Sequence, residues 1–263
     1  MPKGDNMKIT IDSKELKNIL QIVTLRGKYN QGLGSKIESL PDQIYIHATN
    51  GMVYFYNGNP STFVVYRHEC ENVEDGSFCV SSTMLAKYLD SGEVTISEKD
   101  SRVRMLSGSS VITFPSVFRS PHLNIVVRLK DYLSDLTYTA VMNGTSAKVT
   151  DRLTLEGIYS VRKSELVDAM NMAERVGNSV YRLDADAESM VVSSQTTNQE
   201  VTTNIWCKGV NDIASTTVVS LPVGKVLDYV DDARVALCFE DDKPLVIATD
   251  SITIMRAPRE EPR

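Results

Sequence analysis

Apolar residues recur at helical spacing in two places along the chain and at alternating spacing in many more. Leu16, Ile19, Leu20 and Val23 stand at i, i+3, i+4 and i+7, as do Leu166, Ala169, Met170 and Ala173. Each set therefore falls on one face of an amphipathic helix. A short alternating strand precedes each helix, Ile9-Thr10-Ile11 in the first case and Tyr159-Ser160-Val161 in the second. Asp12, with Glu15 three residues on, reads as a capping box for the first helix. Alternation over Gln43–Ala48, Met52–Tyr56 and Thr62–Arg67 predicts three strands, the first two joined by an Asn50-Gly51 hairpin turn. A second short helix is expected to start near Ser82, with a counterpart near Pro222, where proline suits the first turn. Three further strands close each half.

Slid against itself, the chain repeats. Met84–Ile96 lies over Lys225–Leu237 at a constant offset of 141 residues, with Tyr88 over Tyr229, Asp90 over Asp231 and Val94 over Val235. The same offset carries Arg102 onto Lys243, Ser110 onto Ser251 and Val111 onto Ile252. Upstream the offset is 150, and Ile9–Leu16 lies over Tyr159–Leu166. The expected fold is thus α+β, with two repeated domains, residues 1–116 and 158–263, each carrying two helices packed on antiparallel sheets. Residues 117–157, with Pro121, Asn143-Gly144 and a short helix around Lys130–Leu136, are expected as a connector with some structure of its own. Duplication of a stable unit does not by itself specify a function.

Composition narrows the choice. A chain of 263 residues, 42% of them hydrophobic and 24% charged, is long enough for two cores. A net charge of −6 excludes a protein that coats nucleic acid with its whole surface, but leaves room for a basic stripe on an acidic body. Cys70, Cys79, Cys207 and Cys238 lie far apart or inside strand-like runs, with no C-x-x-C pair, and read as reduced core thiols rather than metal ligands. No run approaches the ~18 apolar residues that span a bilayer, and Met1–Asn6 lacks a signal-peptide core, so a soluble intracellular protein is expected. His47, His68 and His122 are isolated, and no nucleophile elbow, phosphate-cradling glycine loop or zinc-helix motif occurs. Asp231-Asp232 and Asp241-Asp242 fall at expected turns rather than forming a metal-dependent nuclease site. The sequence therefore gives no support for an enzyme.

The residues just read also carry a resemblance. Ser13-Lys14-Glu15-Leu16 on its apolar helix, followed by the run from Val80 to Ile96, is similar to the opening domain of the bacterial DNA sliding clamp, the beta subunit of DNA polymerase III. Asp242–Ile247 with Ser251–Arg259 resembles the end of proliferating cell nuclear antigen, the trimeric clamp; two domains rather than three favour that arrangement, which viral clamps share. The resemblance implies a closed ring, a homotrimer, that encircles double-stranded DNA without reading its sequence. It implies tethering of a DNA polymerase, and contact with a clamp-loader ATPase, through short peptide motifs. It implies no cofactor, no metal and no membrane, and a place inside the cell with the replicating DNA.

Helices line the inside of such rings. The implied DNA-facing residues are Lys14, Lys17, Lys87, Arg162, Lys163, Arg175 and Lys225, which would attract phosphates without base readout. Any one of these cations also suits an ordinary solvated face, and Glu174 and Asp228 share their helices. Ring closure pairs sheet edges. By resemblance Ser109–Phe114 pairs with Gln199–Trp206 of the next subunit, with Ser109, Val111, Thr113, Val201, Thr203 and Ile205 as interface residues and Trp206 as either interface or core. A partner-peptide pocket is implied at Pro244, Met255, Ala257 and Pro258, with Met52 and Tyr54 as walls, methionine suiting a surface that re-packs around several partners. A clamp paralogue acting in checkpoint signalling or viral late transcription, and a non-clamp α+β binding protein, are the alternatives. Molar mass in solution separates a ring from a monomer.

Overall fold

The computed structural model describes residues 7–25, 40–71, 73–116, 121–176, 180–220, 226–228 and 230–259. They fall into two compact units, one of residues up to 130 and the other of residues 131 onward.

In the first unit the alternating strand β1 (Lys8–Asp12) runs directly into helix α1 (Ser13–Thr24). Asp12 sits at the junction in extended conformation, and its carboxylate accepts hydrogen bonds from the Lys14 and Glu15 backbone N–H groups at 2.8 and 3.2 Å. Two donors that the helix itself leaves orphaned are thereby satisfied. Glu15 does not complete the capping box; its carboxylate lies 3.1 Å from His68 Nδ1 instead. At the other end Leu25 adopts a left-handed conformation (φ 50°) that turns its N–H back onto the last turn. Leu16, Ile19, Leu20 and Val23 are all buried, as their spacing predicts.

Five strands follow, β2 (Gln43–Thr49), β3 (Met52–Gly58), β4 (Thr62–Glu69), β5 (Val73–Glu74) and β6 (Gly76–Ser81), then helix α2 (Ser82–Lys87) and strands β7 (Glu93–Lys99), β8 (Arg102–Ser107) and β9 (Ser110–Pro115). Asn50 and Gly51 both have positive φ, 51° and 78°, the combination a two-residue hairpin turn of the primed type requires. Two antiparallel sheets result, one ordered β5-β1-β7-β8-β9 and the other β4-β3-β2-β6. The sequence pattern yields three strands between the helices; the two-residue β5 and β6 are additions, and β6 leads straight into α2.

The chain between the two repeats opens on a helix that belongs to the first unit as far as Lys130 and to the second unit from Asp131. Helix α3 (Pro121–Leu133) begins on a proline, which lacks only an N–H that a first turn leaves unbonded anyway. It starts nine residues before the short helix expected at Lys130–Leu136 and stops at Leu133 rather than Leu136. Helix α4 (Tyr138–Asn143) and the hairpin of β10 (Ala147–Thr150) and β11 (Leu153–Leu155) come next. Residues 131–157 are fastened to the rest of this unit: Thr253 Oγ1 donates to the Leu136 carbonyl at 2.6 Å, the Tyr138 hydroxyl bonds Ser160 Oγ at 2.9 Å, and the Thr139 N–H donates to Asp250 at 3.0 Å.

Strand β12 (Ile158–Arg162) and helix α5 (Lys163–Glu174) then repeat β1 and α1 residue for residue at the offset of 150. Strands β13 (Val180–Ala185), β14 (Ser189–Gln195), β15 (Glu200–Gly209), β16 (Ser215–Ser220), β17 (Arg234–Cys238), β18 (Leu245–Ala248) and β19 (Ile252–Arg256) complete the unit in the order β16-β13-β14-β15-β12-β17-β18-β19. The copies agree in register, with Ile9 opposite Ile96 and Tyr159 opposite Leu237. All four cysteines are buried thiols; burial pushes Cys79 and Cys238 up to about 12 and Cys207 to about 11, so these three stay protonated and unreactive at neutral pH.

Candidate nucleic-acid interface and strand edges

In the first unit α1 buries its apolar stripe and leaves Lys14, Lys17 and Asn18 exposed. The helix's one acidic residue, Glu15, is drawn toward His68. Helix α2 is fixed beside it by two caps. Ser81 Oγ accepts from the Met84 N–H at 3.0 Å, and the Asp42 carboxylate accepts from the Ser81 hydroxyl, from the Ser82 hydroxyl at 2.8 Å and from the Thr83 N–H at 3.0 Å. Partial burial would raise the Asp42 pKa, but the hydrogen bonds from Ser81, Thr83 and Ser82 outweigh it and hold the carboxyl below its ordinary range. Lys87 ends this helix, exposed, with its ammonium 5.2 Å from the centre of the Tyr88 ring. Between the two helices lies an open groove of ≈ 390 Å³ with Lys17 and Lys87 on its sides and Gln21, Thr24 and Thr83 among its lining.

The predicted cations of the second unit are placed otherwise. Arg162 is exposed but its guanidinium pairs with Glu165 at 3.2 Å. Lys163 is half-buried, its ammonium donating to the Val230 carbonyl. Arg175 is exposed at the end of α5, whose outward face also carries Asp168 and Met172. Lys225 lies outside the described residues. The structure thus gathers Lys17 and Lys87 about one groove and leaves Arg162 and Lys163 with partners of their own.

Two of the strand stretches among the described residues present an unpaired side with exposed apolar residues. Among the described residues strand β9 pairs only with β8, and its Val111 is 50% exposed opposite Leu106, itself 43% exposed. Thr113 is exposed and Ser109 stands in the β8–β9 turn. Strand β15 is flanked by β14 along Glu200–Trp206 but reaches β12 only at Cys207–Gly209, so among the described residues Glu200–Trp206 has a free edge. Val201 and Thr203 are half-buried and Ile205 is buried, whereas Trp206 is 50% exposed and so is not a core residue. Exposed apolar residues at an unpaired edge mark a place for another strand.

Of the predicted pocket, Met52 and Tyr54 lie half-buried on β3 in the first unit, and Pro244, Met255, Ala257 and Pro258 lie half-buried in the second. Strand β19 does not alternate: Ile252, Thr253 and Ile254 are buried on both faces, and exposure begins only at Met255. Beyond it the Arg259 N–H donates to the Val218 carbonyl of β16 at 2.8 Å, so the backbone after Pro258 is partly engaged. Among the described residues no group of three or more histidine, cysteine, aspartate or glutamate side chains suits a metal ion, and no helix is long and apolar enough to cross a membrane.

Sequence reasoning missed the polar lining and the edge partner. Lys17, Gln21 and Thr24 follow one another at i, i+4 and i+7, a legible stripe, and Leu106 is legible as an outward position of an alternating strand. The Glu15–His68 pair, 53 residues apart, leaves no such signal.

The fold is that of the DNA sliding clamps. A DNA polymerase III beta subunit from Thermotoga maritima superposes with a TM-score of 0.68 over 100% of this chain and 68% of its own length, at 12% identity. The corresponding figures are 0.72, 99% and 68% at 11% identity for a putative beta subunit from Eubacterium rectale, and 0.69, 100% and 67% at 16% identity for the sliding clamp of Bacillus subtilis. No protein-family model matches the sequence, and no curated protein matches it.

Proposed function

We propose that this chain is a non-catalytic DNA sliding clamp, a subunit of a ring that encircles duplex DNA and tethers a polymerase to it. The observation that carries the reading is the duplicated clamp unit whose first pair of helices turns Lys14, Lys17 and Lys87 away from the core. Closure joins the β9 edge of one copy to the Glu200–Trp206 edge of the next, burying Leu106, Val111 and Trp206. Three copies complete the circle. Light scattering should then give about three times 29.2 kDa for the parent protein. Val111→Pro, which removes a donor from the edge strand, should give a folded monomer. A parent protein at 29.2 kDa at micromolar concentration would overturn the ring.

Replication partners dock short apolar peptides over Pro244, Met255, Ala257 and Pro258, where the burial of β19 gives way to a half-exposed rim. Truncating a central anchor of such a pocket costs ~2 kcal/mol or more, about thirtyfold in affinity. Titration of a polymerase terminal peptide into Met255→Ala should find that loss with little change in thermal stability. Affinity within twofold of the parent would remove the pocket from this site.

A further inference from the structure

We infer that the two repeats do not share the duplex equally: the first unit's α1–α2 face carries the DNA, and the second unit's matching face contributes little. The inference rests on the clamp reading and asks which half of each subunit meets the phosphates. The repeat supplies the comparison. Under the offset of 150, Lys14 and Lys17 of α1 correspond to Ser164 and Val167 of α5; under the offset of 141, Lys87 corresponds to Asp228. A cation is therefore absent at all three positions and an anion present at one. Asn18 becomes Asp168, which adds a second exposed carboxylate to the face.

The cations that the second unit does carry are largely engaged. The Arg162 guanidinium is held by Glu165 at 3.2 Å, and the Lys163 ammonium is half-buried against the Val230 carbonyl, which leaves Arg175 as the exposed cation on α5. In the first unit the opposite device operates. Glu15, the only acid on α1, lies 3.1 Å from His68 Nδ1, and α2 has none, so among the described residues Lys14, Lys17 and Lys87 have no carboxylate within ion-pair distance. Attraction to a phosphate scales with net local charge, and an ion-paired guanidinium releases fewer counterions than a free ammonium when it meets DNA. In the groove beside Lys17 the Gln21 amide adds a neutral donor that suits backbone oxygens without selecting a base, while the Thr24 and Thr83 hydroxyls donate to the Leu20 carbonyl and to Asp42.

The experiment compares two triple variants of the full chain, Lys14→Ala/Lys17→Ala/Lys87→Ala and Arg162→Ala/Lys163→Ala/Arg175→Ala, in their binding to a short blunt duplex across a salt series. Unchanged circular dichroism and solution mass establish that both remain folded and assembled. Each phosphate left unneutralised lowers the slope of log K against log salt by about 0.9. The first variant should lose about 2 or more of that slope, the second less than about 0.5. Equal losses would overturn the asymmetry while leaving the helical faces as the DNA surface. No loss in either variant would overturn both the asymmetry and the clamp reading's assignment of this face. A loss confined to the second variant would reverse the inference.

Discussion

The strand–helix openings of the two units share a backbone and differ in nearly everything that backbone carries. Residues 8–24 and 158–174 have the same boundaries, the same register to the next strand, and buried apolar residues at the same helical positions. Yet Asp12 caps α1, whereas Arg162 at the matching position makes no side-chain cap. Strand β1 is flanked by the two-residue β5, whereas β12 is flanked by the long β15, which welds strands β12 to β19 of the second repeat into one continuous sheet where the first repeat has two. What is common to both copies is the buried pattern, because a one-residue error there would put apolar side chains into water. The exposed and junction positions are where the copies have been free to take different work.

The core itself offers the largest test of that equivalence. Gly157 stands where the first unit has Met7, and the two residues make the same backbone bond: the Glu98 N–H donates to the Met7 carbonyl at 3.0 Å, the Phe239 N–H to the Gly157 carbonyl at 2.9 Å. Met7 is fully buried. In the second unit Tyr159 and Phe239, with ring centres 5.0 Å apart, take up the space, and a Cβ on Gly157 would meet the Phe239 carbonyl oxygen at 2.2 Å and the Tyr159 hydroxyl at 3.3 Å. Alanine is thus a truncation in one copy and an overfilling in the other. Met7→Ala should cost about 2–5 kcal/mol through the cavity it leaves, and Gly157→Ala about 1–3 kcal/mol or more through strain against backbone that cannot yield as a side chain would. Urea unfolding measures both. A Gly157→Ala midpoint equal to the parent's would mean that the copies are not packed as this comparison requires.

Legibility in the sequence followed the same division. The boundaries of β12 and α5 could be read from those of β1 and α1 because apolar spacing and offset agreed over 17 successive residues. Strand β6, Gly76-Ser77-Phe78-Cys79-Val80-Ser81, was hidden by its small polar ends, which resemble a turn, although Phe78, Cys79 and Val80 are buried. Helix α3 was shortened because its buried residues, Leu123, Val126 and Leu133, are sparse among polar neighbours. The candidate cations were legible as residues but not as free charges. The Arg162–Glu165 pair sits at i, i+3 and was open to inspection, whereas the Lys163 bond to Val230 joins groups 67 residues apart and depends on the tertiary fold.

The smallest expected effect bears on the junction where the copies diverge most. Asp12 supplies a cap that Arg162 does not, so Asp12→Ala should lower stability by about 1 kcal/mol, while Arg162→Ala should change it by only a few tenths, the worth of an exposed ion pair with Glu165. The informative variant transfers the cap. Arg162→Asp places a carboxylate at the start of α5, where orphaned N–H groups and the helix dipole favour negative charge. It also changes a cross-strand relation: Arg162 stands directly opposite Arg234, a like-charge pair, just as Asp12 stands opposite Glu93 in the first unit. An aspartate there faces Arg234 as an opposite charge, worth a further ~0.2–1 kcal/mol. Against these gains stands the loss of the Glu165 pair and the new proximity of that carboxylate. The sum is a net gain of about 1 kcal/mol for Arg162→Asp, read as a higher midpoint in urea with the slope unchanged. A midpoint at or below the parent's would mean that α5 begins from a different balance of groups than α1, and that the shared backbone hides a difference in how each helix is started.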